Sequence, residues 1–224
     1  LLIPSVTGLI YRETAGLYYL GTAAVCALIG RLCMCGKPKN TNLYAREGFV
    51  IVALSWIVLS LFGAVPLCLC GDIPNYVDAL FEVVSGFTTT GASILAEVEP
   101  LTRTSLMWRS FTHWVGGMGV LVFIMAFVPL SGGQNMHIMK AESPGPSVSK
   151  LVPRVRTTAL ILYSLYLALT MLQFILLLCG GMTCFEALNT AFATAGTGGF
   201  SCRNASVGAY DSLAIDLIIT VFIL

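Results

Sequence analysis

Two stretches of this chain are apolar, too short to cross a bilayer, and followed by threonine and glycine. They are one stretch written twice. The first reads Asp78-Ala79-Leu80, then a short helical run, then Thr88-Thr89-Thr90-Gly91-Ala92-Ser93. The second reads Glu186-Ala187-Leu188, then Gly196-Thr197-Gly198-Gly199-Phe200-Ser201. Every matched position is displaced by 108 (Asp78 to Glu186, Thr89 to Thr197, Gly91 to Gly199, Ser93 to Ser201). Val77 to Phe87 falls far short of the ~20 apolar residues a spanning helix needs. It also carries Asp78 and Glu82, both costly in lipid. A short helix that enters and returns fits better than a span. Irregular backbone at membrane depth is tolerated only where protein buries it or where it lines a wet cavity.

The flanking chain predicts a membrane setting. Hydrophobic residues make up 57% and charged residues 10%, against about 25% charged in ordinary soluble domains. The chain reads as an all-α integral membrane protein. A net charge of +1 points to no nucleic-acid partner and no acidic substrate. Leu1 to Tyr11 is too short to span and has no signal-peptide layout; it reads as the tail of a helix that begins earlier. Full apolar runs follow at Leu17–Cys35, Glu47–Cys70, Ser105–Leu130 and Thr157–Leu178. Asp211 to Leu224 starts another, about 21 Å long at 1.5 Å per residue against a ~30 Å hydrocarbon core, so the chain reads as cut at both ends.

Basic residues predict orientation. The segments 31–46 and 131–156 hold Arg31, Lys37, Lys39, Arg46, Lys140, Lys150, Arg154 and Arg156, whereas 71–104 and 180–211 hold only Arg103 and Arg203. Both loops therefore face the exterior. The expected units are 1–46, with extra N-terminal helices and a basic cytoplasmic loop; 47–130, helix, re-entrant loop, helix; 131–152, a cytoplasmic linker; and 153–224, a second such repeat.

The repeated loop suits a dehydrated monovalent cation. Such an ion needs oxygens in place of its water, held loosely enough for it to leave, and backbone carbonyls supply them. Aiming successive carbonyls at one axis takes unusual dihedrals, which glycine permits. Gly91 and Gly199 occupy matched places for this, with Thr89 and Thr197 below them. The candidate potassium-binding residues are Thr88, Thr89, Thr90, Gly91 and Ala92, with Gly196, Thr197, Gly198, Gly199 and Phe200. Asp78 and Glu186 open the short helices, where a carboxylate caps free N–H groups. Glu97 and Glu99 either concentrate cations at the mouth or lie in an ordinary solvated loop.

Other residues carry less. The glycines after Trp114, at Gly116, Gly117 and Gly119, suit helix packing or a hinge. His113 reads as packed or hydrogen-bonded, and Arg109 as snorkelling near the outer end. His137 stands alone in the linker. Among eight cysteines, none shows zinc-ligand spacing. Cys184 and Cys202 flank the second loop, with a separation the sequence does not set. No nucleophile–base constellation appears, so the chain does not read as an enzyme.

Thr89-Thr90-Gly91-Ala92-Ser93, His113-Trp114-Val115-Gly116-Gly117-Met118-Gly119, Thr197-Gly198-Gly199-Phe200-Ser201 and the linker Lys140-Ala141-Glu142-Ser143-Pro144-Gly145-Pro146 resemble the bacterial Trk/Ktr potassium uptake proteins, and most closely the Trk-type membrane subunit. The resemblance covers essentially the whole chain. It implies helix–pore-loop–helix repeats of the potassium-channel type, four around one pore, with two extra N-terminal helices. The third and fourth repeats would be missing here. It implies potassium as the transported ion, with Gly91 as the potassium-selecting glycine, and no organic cofactor in this chain. It also implies a bacterial plasma (inner) membrane, a homodimer, and a cytoplasmic nucleotide-binding regulatory ring as partner. The alternative is a two-repeat channel subunit that dimerises to complete four loops.

Overall fold

The computed structural model describes residues 1–35, 45–119 and 155–223. Among these, every regular element is helical. Helices α1 (Leu2–Tyr11) and α2 (Ala15–Met34) form a hairpin closed by Arg12 in the left-handed region. Its two helices touch at their glycines: a Cβ on Gly8 would lie 2.6 Å from the Gly16 Cα. Then come α3 (Ala45–Leu69), α4 (Tyr76–Phe87) and α5 (Arg103–Met118). The second unit has α6 (Val155–Cys179), α7 (Cys184–Ala195), a 3-10 turn (Ser206–Tyr210) and α8 (Leu213–Ile223).

Among the described residues, three helices have the length and apolarity to cross a membrane: Ala15–Met34, Val50–Leu69 and Ala159–Cys179. Leu17, Leu20, Val25 and Leu28 on α2, Leu54 and Ile57 on α3, and Leu165 and Leu169 on α6 are exposed. Apolar faces of that extent suit lipid and would be a liability in water. Helix α5 has a different character. Thr104, Ser105, Arg109, Ser110, Thr112 and His113 are all buried, so α5 is wrapped by protein. The expected third span, Ser105–Leu130, begins two residues earlier, at Arg103; within the described residues its helix runs to Met118, and 120–130 lie outside them. The linker 131–152, with His137, Lys140 and Lys150, and the turn residues Lys37 and Lys39 also lie outside.

The short helices start where side chains satisfy their free N–H groups. Asn75 accepts from the Val77 amide at 3.0 Å, and Thr183 accepts from the Glu186 amide at 3.4 Å while donating to the Glu186 carboxylate at 2.7 Å. The second has the spacing of a capping box, with the carboxylate taking the Thr183 hydroxyl. Thr102 caps α5. Glu13, in the hairpin turn, accepts from the Arg103 and Thr104 amides at 3.0 and 2.9 Å, which pins the hairpin to the start of α5.

Each unit has its own core. In the first, Leu67, Ala79, Val83, Phe87, Leu106 and Trp108 pack together from α3, α4 and α5. In the second, Leu177, Ala187, Ala191, Ile215 and Ile219 do so from α6, α7 and α8. Helix α5 joins them. Its Trp108 indole donates to the Gly63 carbonyl of α3 at 3.0 Å, its Trp114 indole to Thr170 of α6 at 3.1 Å, and Phe111 meets Phe192 of α7 edge-on at 5.7 Å.

Candidate functional site

Both short helices end the same way. In the first, the amides of Thr88, Thr89 and Thr90 donate to the carbonyls of Val84, Gly86 and Ser85 at 2.9, 3.0 and 2.9 Å. In the second, those of Gly196, Thr197 and Gly198 donate to Phe192, Thr194 and Ala193 at 3.3, 2.8 and 3.0 Å. Position for position these are the same three bonds. The crossed pair, sixth residue to first and fifth to second, is the Schellman arrangement, which puts the residue after the cap in the left-handed region. That residue is Thr89 at φ 55° in one copy and Thr197 at φ 53° in the other. Glycine usually takes this place, and a β-branched residue there is strained.

Two residues on, the sign recurs: Gly91 has φ 74° and Gly199 φ 87°. Positive φ at alternate residues breaks the extended pattern, in which neighbouring carbonyls point to opposite sides, and is the kind of backbone that allows successive carbonyls to share one side. The C-terminal ends of α4 and α7, with their partial negative charge, lie directly beneath. An array of uncharged oxygens above two such ends is a cation-binding chemistry.

The loops meet each other and rest on α5. A Cβ on Gly91 would collide with the Gly198 carbonyl oxygen. On Gly116 it would strike the Phe87 carbonyl, and on Gly117 it would lie 2.9 Å from the Gly196 Cα. Gly116 and Gly117 thus give the first and second loops their seats, a packing role. His113, fully buried, has its Nδ1 2.9 Å from the Gly86 carbonyl, and its ring lies 4.1 Å from that of Phe200. Thr88, Thr90 and Ala92 stand exposed beside them, with the Thr88 and Thr90 hydroxyls 2.8 Å apart.

Two expectations are revised. Arg109 does not snorkel: it is 3% exposed and forms an ion pair with Glu82, itself 0% exposed, at 2.6 Å. Asp78 and Glu186 lie in the first turns, but the caps are Asn75 and Thr183. Glu186 instead receives Arg203 at 2.7 Å. Glu99 accepts from the Asn204 amide at 3.3 Å, linking the segments that follow the two loops, whereas Glu97 is exposed. Cys184 and Cys202 are both free thiols, the first exposed and the second buried; burial pushes the Cys202 thiol up to about 12. The Glu82–Arg109 pair was the residue set missed in sequence. Its signal was present, since opposite charges inside apolar stretches usually find each other.

The TrkH family model, described as cation transport protein, matches residues 19–224. This chain belongs to that family. It is 39% identical to the Trk system potassium uptake protein TrkH of Vibrio parahaemolyticus over 100% of its own length and 47% of that protein's. It is 40% identical to the TrkH protein of Escherichia coli over the same shares. An uncharacterized cation transporter of Methanocaldococcus jannaschii is 33% identical over 97% of this chain and 45% of its own. Among solved structures, the potassium transporter TrkH from Vibrio parahaemolyticus superposes with a TM-score of 0.80 at 36% identity, covering 99% of this chain and 44% of that one. The chain spans about half the length of these relatives. The helix–pore-loop–helix fold of this family is therefore the fold of the chain.

Proposed function

We propose that this chain forms part of a potassium uptake pore, with Thr88–Ala92 and Gly196–Phe200 supplying carbonyl oxygens to its selectivity filter. The observation that carries this reading is the repeated alternation of φ, at Thr89 and Gly91 and again at Thr197 and Gly199, in two loops that touch at Gly91 and Gly198. The names of the relatives, potassium uptake proteins of the Trk system, support potassium as the ion. Two loops do not close a ring around an ion. The relatives extend for as much chain again, which favours completion by a third and fourth repeat over pairing of two-repeat chains. The working protein is then a homodimer in a bacterial inner membrane, with the loops outside and a cytoplasmic nucleotide-binding ring as regulator. The family resemblance supports those last features, and the basic segments support the orientation.

Gly91→Ser tests the filter. Serine at φ 74° is strained and its Cβ meets the Gly198 carbonyl, so the carbonyls of both loops must shift. In the protein carrying all four repeats, expressed in cells lacking other potassium uptake, the variant is expected to lose about tenfold in potassium-over-sodium discrimination. Unaltered discrimination sinks the assignment.

A further inference from the structure

Four segments converge on one buried charge pair. The Arg109 guanidinium, on α5, donates from Nε to the Glu82 carboxylate of α4 at 2.7 Å. It donates to the Ser93 hydroxyl after the first loop at 3.3 Å, and to the Ser201 carbonyl after the second at 3.4 Å. Its carbon lies 4.3 Å from the centre of the Phe200 ring. Glu82 in turn accepts from the Ser93 hydroxyl at 2.9 Å and the Ile94 amide at 3.1 Å.

We propose that Arg109 is a positioning residue for ion discrimination: held by Glu82, it sets the spacing between the exits of the two loops. The proposal rests on the filter reading above. Selectivity in a carbonyl site depends on the number and placement of its oxygens, so something has to hold the upper ends of the loops. Main-chain pairing does not do so, because residues 92–97 make no main-chain to main-chain hydrogen bonds among the described residues. Their backbone is tied by side chains instead, Ile94 to Glu82 and Leu95 to the Ser93 hydroxyl. The planar guanidinium has five donors in a fixed fork, which allows one side chain to reach three acceptors on α4 and both loops. A buried ion pair is weak evidence for stability, since apolar residues of the same volume often serve as well. Here the pair spends its donors and acceptors on the two loop exits.

The experiment compares Arg109→Lys, Glu82→Gln, Ser93→Ala and Gly91→Ser in the four-repeat protein. It measures rubidium and sodium uptake, sodium competition, and the amount of protein in the membrane. Lysine keeps the charge and loses the fork. Arg109→Lys and Glu82→Gln at normal membrane amounts are expected to lose about tenfold in discrimination, through stronger sodium competition with maximal uptake kept, and Ser93→Ala about threefold. Wild-type discrimination in Arg109→Lys and Ser93→Ala overturns the proposal. So does a fall in uptake of both ions in step with the amount of protein, which a purely structural pair would give. Should the charge variants fail to reach the membrane, Ser93→Ala decides on the same two outcomes. If Gly91→Ser relaxes discrimination and these variants do not, only this inference falls; if Gly91→Ser is also silent, the filter reading falls with it.

Discussion

The two loops share a backbone and differ in how they are fastened. Three hydrogen bonds, two left-handed threonines and two positive-φ glycines recur at matched positions. Even the turn beyond the loop recurs, with the Leu95 and Arg203 amides donating to the Ser93 and Ser201 hydroxyls at 3.2 and 3.1 Å. The charges do not recur. In the first copy, Glu82 near the middle of α4 pairs with Arg109 on a neighbouring helix, fully out of solvent. In the second, Glu186 in the first turn of α7 pairs with Arg203 from the segment after its own loop, which is exposed. The loop backbone is the same in the two copies, while the ion pair beside each loop is built from different positions and sits at a different depth.

The sharpest way to break that comparison is to remove one acid from each pair. Glu82→Ala leaves a buried guanidinium without its counter-ion, which costs ~3–5 kcal/mol. Glu186→Ala leaves the half-exposed Arg203 to water, where such a charge contributes little, and removes the Thr183 hydroxyl's partner at the start of α7, which costs about 1 kcal/mol. A large fall in the thermal inactivation midpoint of the detergent-solubilised protein is expected for the first and a small one for the second. Equal shifts would show that the two pairs do the same work.

The glycines make a finer contrast. Gly199→Ala carries the left-handed penalty alone, ~1–2 kcal/mol, because nothing among the described residues lies within 4 Å of its Cβ position. Gly91→Ala carries the same penalty and adds a collision with the Gly198 carbonyl, a further ~1–3 kcal/mol by analogy with overpacked cores. The same thermal assay, run on both alanine variants, should rank Gly91→Ala well below Gly199→Ala. The reverse order would mean that the two loops do not meet as described.

The smallest effect concerns the thiols beside the second loop. Cys184 is exposed, while burial holds Cys202 protonated with its pKa near 12. Maleimide at pH 7.5 should label Cys184 and leave Cys202 unmodified until the protein is denatured. Labelling of both in the folded state would place the segment after the second loop in solvent.

Much of the fold was legible along the chain. The short length of Val77–Phe87 and its copy excludes a span, and the constant displacement makes the two loops equivalents. Gly91 and Gly199 stood out as places for unusual dihedrals, and both have positive φ. The capping residues were less legible. Asp78 and Glu186 drew attention as acids at helix starts, yet Asn75 and Thr183 lie one turn earlier, where the side chain reaches a free amide. Arg109 looked like a snorkelling side chain because its position along the helix lies near the outer end. Sequence position does not report which direction a helix face looks, and α5 turns this face inward.

The amino-acid sequence by itself determined a membrane chain with two equivalent re-entrant units, because apolar run length and a constant displacement are one-dimensional properties. Only the tertiary structure decided that Gly116 and Gly117 are seats for the two loops, that Gly91 faces Gly198, and that Glu82, Arg109, Ser93 and Ser201 form one cluster. These contacts join residues far apart in the chain. They exist only because α5 packs between the two short helices, and a hydrogen bond of about 3 Å depends on that packing to within a fraction of an ångström.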